Sequence, residues 1–150
     1  MENMDKKFTP KIFLVDDDVF CLTMNQQCLN NLGYKNVHTF YQSAECLNQL
    51  TQQPDIIFLD YHMDNLNGIE VLKKIKRFNP NTIIVFISGQ EDIDIAVNAL
   101  KYGAFDYIMK SQLNEEKMRQ VMTKAGQLRE LLIRKSRKGI LKRVFSGLGL

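Results

Sequence analysis

The chain has 150 residues, of which 45% are apolar and 25% charged, which suits one ordinary domain plus a tail and excludes a disordered polymer. No apolar run reaches the length of a membrane span, and the polar start MENMDKKFTPK lacks the apolar stretch of a secretory signal, so none is expected. The net charge of +3 is uneven: residues 1–128 carry 13 basic against 16 acidic side chains (−3), and residues 129–150 carry 7 against 1 (+6).

Residues 1–10 read as a loose leader. Residues 11–15 are a first strand, followed by Asp16, Asp17 and Asp18. From Val19 the apolar spacing turns helical, with Phe20, Met24, Leu29 and Leu32 near a 3.6 period, and Gly33 ends the helix. Residues 36–40 form a short second strand. Ser43 reads as the N-cap of a short helix over 44–52, which ends before Pro54. Residues 55–60, closing on IIFLD, are a third strand that passes at once into a polar loop. A helix runs from Gly68 to Phe78, and Asn79, Pro80 and Asn81 make a turn. A fourth strand over 82–88 precedes a helix over 92–102, in which Ile93, Val97 and Leu100 are expected to face inward and which Gly103 stops. Residues 105–109 are a fifth strand ending at Lys110. A last helix starts near Leu113 and uses Met118, Val121, Met122, Ala125, Leu128, Leu131 and Leu132.

Five strands alternate with five helices through short connections. That pattern predicts an α/β fold with a five-stranded parallel sheet covered on both faces, and the doubly wound order 2-1-3-4-5 is the one taken for it. The expected organisation is a leader at 1–10, a domain at 11–128, and a basic C-terminal helix extension or tail at 129–150.

Each apolar strand ends in a polar group: Asp16 and Asp17 after the first, Asp60 after the third, Ser88 after the fourth, Lys110 after the fifth. In the predicted order strands one and three are neighbours, so the carboxylates converge in one crevice. Converging like charges raise one another's pKa values and call for a counter-charge. A hard divalent cation with oxygen ligands, Mg2+ or Mn2+, supplies it, and Lys110 adds a fixed positive charge beside a Ser88 hydroxyl that can donate to a phosphate oxygen. Taken singly, an Asp at a strand end is most often a cap or turn residue. The ordered set is what carries the argument. The three cysteines, Cys21, Cys28 and Cys46, make no CxxC and read as buried thiols of a reducing, cytoplasmic setting.

The stretches IFLVDDD, IIFLDYHMDNLNG, IIVFISG and FDYIMK resemble the receiver domain of bacterial two-component response regulators, of the chemotaxis-receiver kind, over residues 10–128. The resemblance implies a flavodoxin-like (βα)5 fold and a phosphorylation-dependent signalling switch rather than an enzyme. It implies that Asp60 is the phosphoacceptor, served by a sensor histidine kinase or a histidine phosphotransfer protein. It implies Mg2+ on Asp16, Asp17 and the backbone carbonyl of His62, and Lys110 and Ser88 acting on the phosphoryl group. Ser88 and Tyr107 become the switch pair, His62 and Gln90 the residues that modulate dephosphorylation. The altered surface, residues 92–128, would serve an unidentified downstream protein or a homodimer. Three positions depart from the family pattern: Asp64 stands where a Pro is usual, Asn67 where an acid is usual, and Ser111 where a Pro normally follows the lysine through a cis bond. The Lys110–Ser111 bond is therefore expected to be trans. His38 and Asp106 are expected to be structural or surface groups.

Two rival readings fit the residues less well. Asp16 to Asp18 contain the DxD of haloacid-dehalogenase-like phosphatases, but no acidic pair follows a later strand and Phe20 does not suit that motif. A receiver that only binds partners is disfavoured by the full acid, hydroxyl and lysine set. The tail, with Ile140, Leu141, Val144, Phe145 and Leu148 on one helical face, reads first as a frayed extension or linker and next as a partner or self-association surface. A membrane or nucleic acid comes last, and no DNA-binding domain is expected.

Overall fold

A computed structural model of the chain describes residues 8–63, 66–89 and 92–147, apart from the side chains of Leu141, Val144 and Phe145. The sheet is built from β1 (Ile12–Val15), β2 (Val37–Phe40), β3 (Ile56–Asp60), β4 (Ile83–Ser88) and β5 (Asp106–Met109), all parallel and ordered β2-β1-β3-β4-β5. Its helices are α1 (Val19–Asn31), α2 (Ser43–Asn48), α3 (Gly68–Phe78), α4 (Ile93–Lys101) and α5 (Glu115–Gly147). The predicted doubly wound fold and strand order are those observed.

Strand alternation divides the core. Ile12, Leu14, Ile56, Phe58, Val85 and Ile108 face α1 and α5, against Leu22, Leu29, Met118 and Met122. Phe13, Val15, Ile57, Leu59, Ile84 and Phe86 face the other way, against Cys46, Val71, Leu72, Ile75 and Ala99. Both faces being covered, the central strands read as unbroken apolar runs, and β1, β3 and β4 are buried throughout.

Helix ends follow local chemistry. Gly33 (φ +98°) and Gly103 (φ +104°) sit in the left-handed region just past α1 and α4, as a residue without a Cβ allows. Tyr34 N–H then donates to Leu29 O at 2.9 Å and Ala104 N–H to Ala99 O at 2.9 Å.

Several expectations need correction. Ser43 is not the cap of α2: Gln42 holds that position, and Ser43 is the first helical residue, buried with its hydroxyl 3.4 Å from Met63 Sδ. The rest of the predicted helix is a separate 3-10 turn, Leu50–Gln52. Ile93, Val97 and Leu100 face solvent, not the core, at 73%, 56% and 51% exposure; α4 packs through Ala99 instead. The helical period was right and its phase wrong, because small alanines make the close face. In α1 the outcome is divided: Phe20 and Met24 are exposed, whereas Leu29 is buried and Leu32 packs against the core beside Leu22. Leu131 is also exposed, so the inward stripe of α5 runs through Leu128 and Leu132 alone at that level.

Residues ahead of β1 also contribute to the packing. Phe8 packs against the α1/α5 side of the core, over Gly126, where an added Cβ would meet its ring at 3.1 Å. Residues 1–7 lie outside the described residues. At the same end of the sheet Asp55 accepts from Lys11 N–H at 2.8 Å and pairs with Arg129, whose guanidinium lies 5.9 Å from the Phe8 ring centre. Beyond Arg129, α5 continues as one helix to Gly147, 33 residues in all.

Candidate functional site

The carboxyl edge of the sheet gathers the charges. Val15 lies beside Leu59 in register, so the residues after them, Asp16 and Asp60, are neighbours. Asp60 extends the alternation of Ile56 and Phe58 and is 2% exposed; Asp16 is 4% exposed, and Asp17 faces solvent. One oxygen from each of Asp16, Asp17 and Asp60 can be chosen so that all three lie within 4.8 Å of one another. Lys110, delivered by β5, places Nζ 3.2 Å from Asp16 Oδ2 and 3.3 Å from Asp60 Oδ2. The peptide N–H groups hold the carboxylates from the other side: Asp18 N–H donates to Asp16 at 2.9 Å and His62 N–H to Asp60 at 3.1 Å.

Burial, and then the Asp16 charge, push the Asp60 carboxyl up to about 7, against the opposing pull of Lys110. For Lys110, burial works to lower the pKa, but Asp60 and Asp16 outweigh it and the net shift is upward. Three carboxylates facing one ammonium leave an excess of two negative charges when all are ionised. An all-oxygen donor set with that deficit fits a hard divalent cation, with Asp16, Asp17 and Asp60 as its protein ligands.

Asp18 does something else. Its carboxylate caps α1, accepting from Phe20 N–H at 2.9 Å and Cys21 N–H at 3.3 Å. The Cys21 N–H bond, foremost, holds its pKa below the usual carboxylate range. Ser88 is fully buried at the end of β4, and Tyr107, half-buried on β5, packs with the core cluster on the α3/α4 side. The charged groups and the hydroxyl–tyrosine pair thus come from opposite faces of the sheet and meet at its edge. The His62 ring is exposed at the mouth, edge-on to Tyr61 at 4.9 Å. Gln90 and Asp64 lie outside the described residues. Asn67 caps α3, its Oδ1 accepting from Ile69 N–H at 2.9 Å. The Lys110–Ser111 bond is trans, and Lys110–Gln112 form a 3-10 turn. His38 bonds Asn36 on the edge strand, and Asp106 accepts from Tyr107 N–H. Burial pushes the Cys46 thiol up to about 12 and raises Cys21 and Cys28 as well; only Cys46 is fully buried, but none is an activated nucleophile.

A groove of about 470 Å3 opens beside Asp17, lined by Tyr41, Gln42, Ser43, Met63 and Leu66. Sequence reading missed Tyr41 and Met63. The signal for Tyr41 was available: it follows β2, the neighbour of β1, and so belongs to the same edge.

Gly68, first residue of α3, sits against the loop that follows Asp60. A Cβ there would stand 3.0 Å from both the Phe86 and Tyr61 rings and 3.2 Å from Tyr61 Cα. Gly68→Ala is expected to destabilise the fold by about 1–2 kcal/mol in urea titration, despite alanine's better helix propensity. An unchanged midpoint would mean that the loop yields without cost.

The family model of the response regulator receiver domain matches residues 12–123, and the chain belongs to that family. Transcriptional regulatory protein ZraR of Klebsiella oxytoca is 34% identical over 115 residues, which are 76% of this chain and 26% of that protein. DNA-binding transcriptional regulator NtrC of Klebsiella pneumoniae is 33% identical over 99 residues, 65% of this chain and 21% of that one. The chain therefore spans about a quarter of these relatives' length. Among solved structures, a response regulator receiver domain protein from Clostridium thermocellum superposes with TM-score 0.76 at 28% identity, covering 82% of this chain and 98% of its own. NtrX from Brucella abortus superposes with TM-score 0.79 at 27% identity, covering 87% of this chain and 29% of its own. The chain is thus a receiver domain of the two-component type, a class that works by phosphorylation-dependent signalling.

Proposed function

We propose that Asp60 accepts a phosphoryl group from the phosphohistidine of a sensor histidine kinase or histidine phosphotransfer protein, and that the chain is a stoichiometric switch rather than a turnover enzyme. The observation that carries this reading is a nearly buried carboxylate 3.3 Å from an ammonium and within one cation's reach of two more carboxylates. A carboxylate oxygen of Asp60 forms the new P–O bond as the donor's P–N bond breaks, and the electron pair leaves on the imidazole nitrogen. Lys110 offsets charge on the phosphoryl oxygens from a fixed position. Mg2+ or Mn2+, held by Asp16, Asp17, Asp60 and the His62 carbonyl, would supply the remaining positive charge. Ionised Asp60 is the competent form, so acceptance falls as pH drops through the Asp60 pKa, which burial sets at about 7 before a cation binds and which a bound cation lowers.

The added phosphate charge draws the Ser88 hydroxyl, and Tyr107 follows into the space on the α3/α4 side. The readout is the face of α4, β5 and α5. Ile93, Val97 and Leu100 already present apolar surface there, suited to a downstream protein or a second copy. Val19 and Phe20, exposed directly after the acidic loop, suit the donor protein. His62, exposed at the mouth, governs access of the water that removes the phosphate.

A small-molecule phosphodonor with Mg2+ tests the reading. The expected result is label on Asp60, lost in Asp60→Asn and kept in Asp18→Asn, since asparagine still caps α1. Steady phosphate release that disappears in Asp18→Asn would replace the switch with a phosphatase.

A further inference from the structure

The basic end of α5 plays no part in the site. The inward stripe of Met118, Val121, Met122 and Ala125 is buried, and Leu128 and Leu132 are half-buried. Continued at the same spacing, that stripe meets Ser136, Gly139 and Arg143, so the apolar seam ends at Leu132. A second apolar stripe begins there, turned by roughly a third of the helix circumference at 3.6 residues per turn. Ile133 and Ile140, 42% and 57% exposed, belong to it, and in the sequence Val144 shares their phase, with Arg137 beside them. Arg134, Lys135, Arg137, Lys138, Lys142 and Arg143 are all exposed. Of these, among the described residues, Arg134 alone is in an ion pair, with Glu130 at 2.6 Å.

Charge decides what covers this helix. A second copy would set one run of seven cations and a single acid beside another, and like charges at close range repel. Nucleic acid would satisfy the cations and leave the isoleucine stripe in water. An anionic bilayer satisfies both: apolar side chains enter the acyl boundary, and lysines and arginines reach the headgroups. Among the described residues no helix is long and apolar enough to cross a membrane, so the segment would lie on the surface. Spacing alone left a membrane among the least favoured partners; the exposure of both isoleucines and the end of the inward stripe reverse that order. We propose that residues 129–147 anchor the receiver domain to a bilayer surface rich in anionic phospholipid.

Flotation of the full chain with vesicles tests this. With phosphatidylglycerol mixed into phosphatidylcholine, bound protein is expected to exceed that on phosphatidylcholine alone by at least about tenfold, and to fall as salt is raised. Ile133→Asn with Ile140→Asn, and separately Lys138→Glu with Lys142→Glu, should each cut binding about tenfold. Both variants should keep the parent's melting temperature and phosphoryl acceptance, since all four side chains are exposed. Absence of flotation with the mixed vesicles overturns the proposal. So does binding that survives the isoleucine changes while duplex DNA competes for it, which would assign the segment to nucleic acid. A concentration-dependent dimer lost in the isoleucine variant, without flotation, would assign it to a second copy.

Discussion

In chelator at pH 8, Asp60→Asn should melt well above the parent protein, although it removes the proposed acceptor. The Asp60 pKa is about 7 in the fold and near 3.8 in the unfolded chain, with burial as the main cause. Between those values the folded state keeps a proton that the unfolded state has released. Stability therefore falls as pH rises from about 4, and the loss is complete above about 7. A shift of about three units corresponds to roughly 4 kcal/mol, an upper bound on what the neutral amide recovers. The expected gain is about 2–4 kcal/mol at pH 8, shrinking toward zero near pH 4. Mg2+ should stabilise the parent and leave the variant much less affected, so the two curves converge as the ion is added. Equal melting temperatures at pH 8 in chelator would show that Asp60 carries no such penalty.

Lys110→Ala should act in the opposite sense. The ammonium is the counter-charge to both Asp16 and Asp60, at 3.2 and 3.3 Å. Its side chain keeps 28% exposure, so water screens part of the interaction. Removing it leaves two nearly buried carboxylates facing each other, with an expected cost of about 2 kcal/mol at pH 8 in chelator. Phosphoryl acceptance should fall by about a hundredfold or more, because a fixed positive charge is lost where oxygen charge develops. Mg2+ should recover much of the stability and little of the rate. Denaturant titration with and without the ion, beside single-turnover labelling, separates the two. A variant that loses rate but not metal-free stability would mean that the carboxylates are held apart by something other than Lys110.

The site was legible because its parts sit at strand ends, where an apolar run stops on a polar side chain. Parallel strands buried on both faces make that stop abrupt, and IIFLD is the clearest case. Alternation indicated a parallel sheet covered on both faces, and the doubly wound order 2-1-3-4-5 then brought Asp16 beside Asp60. Helix faces were less legible. In α4 Ile93, Val97 and Leu100 point outward and the fully buried position is Ala99, so a count of apolar positions finds the period and misses the phase. Ser43 misled for a related reason: its hydroxyl looked like a cap, but it is buried against Met63, a partner far away in the chain. Asp18 shows the reverse. Its capping bonds are local, within three residues, yet the neighbouring acids hid them, since three successive aspartates look equivalent until the helix that follows is placed.

The pairing of Asp55 with Arg129 has a mechanical side. It fastens α5 at the end of the sheet remote from Asp60, with Lys11 and Phe8 bracing the same point. The helix on one side of that fulcrum lies on the core, and on the other it extends to Gly147. At 1.5 Å per residue the outer arm is about 27 Å long, so each degree of tilt about Arg129 moves its tip by about 0.5 Å. The same tilt moves Met122 by only about 0.2 Å, so a shift the core absorbs becomes a displacement more than twice as large at the tip, where a surface under the far end would register it.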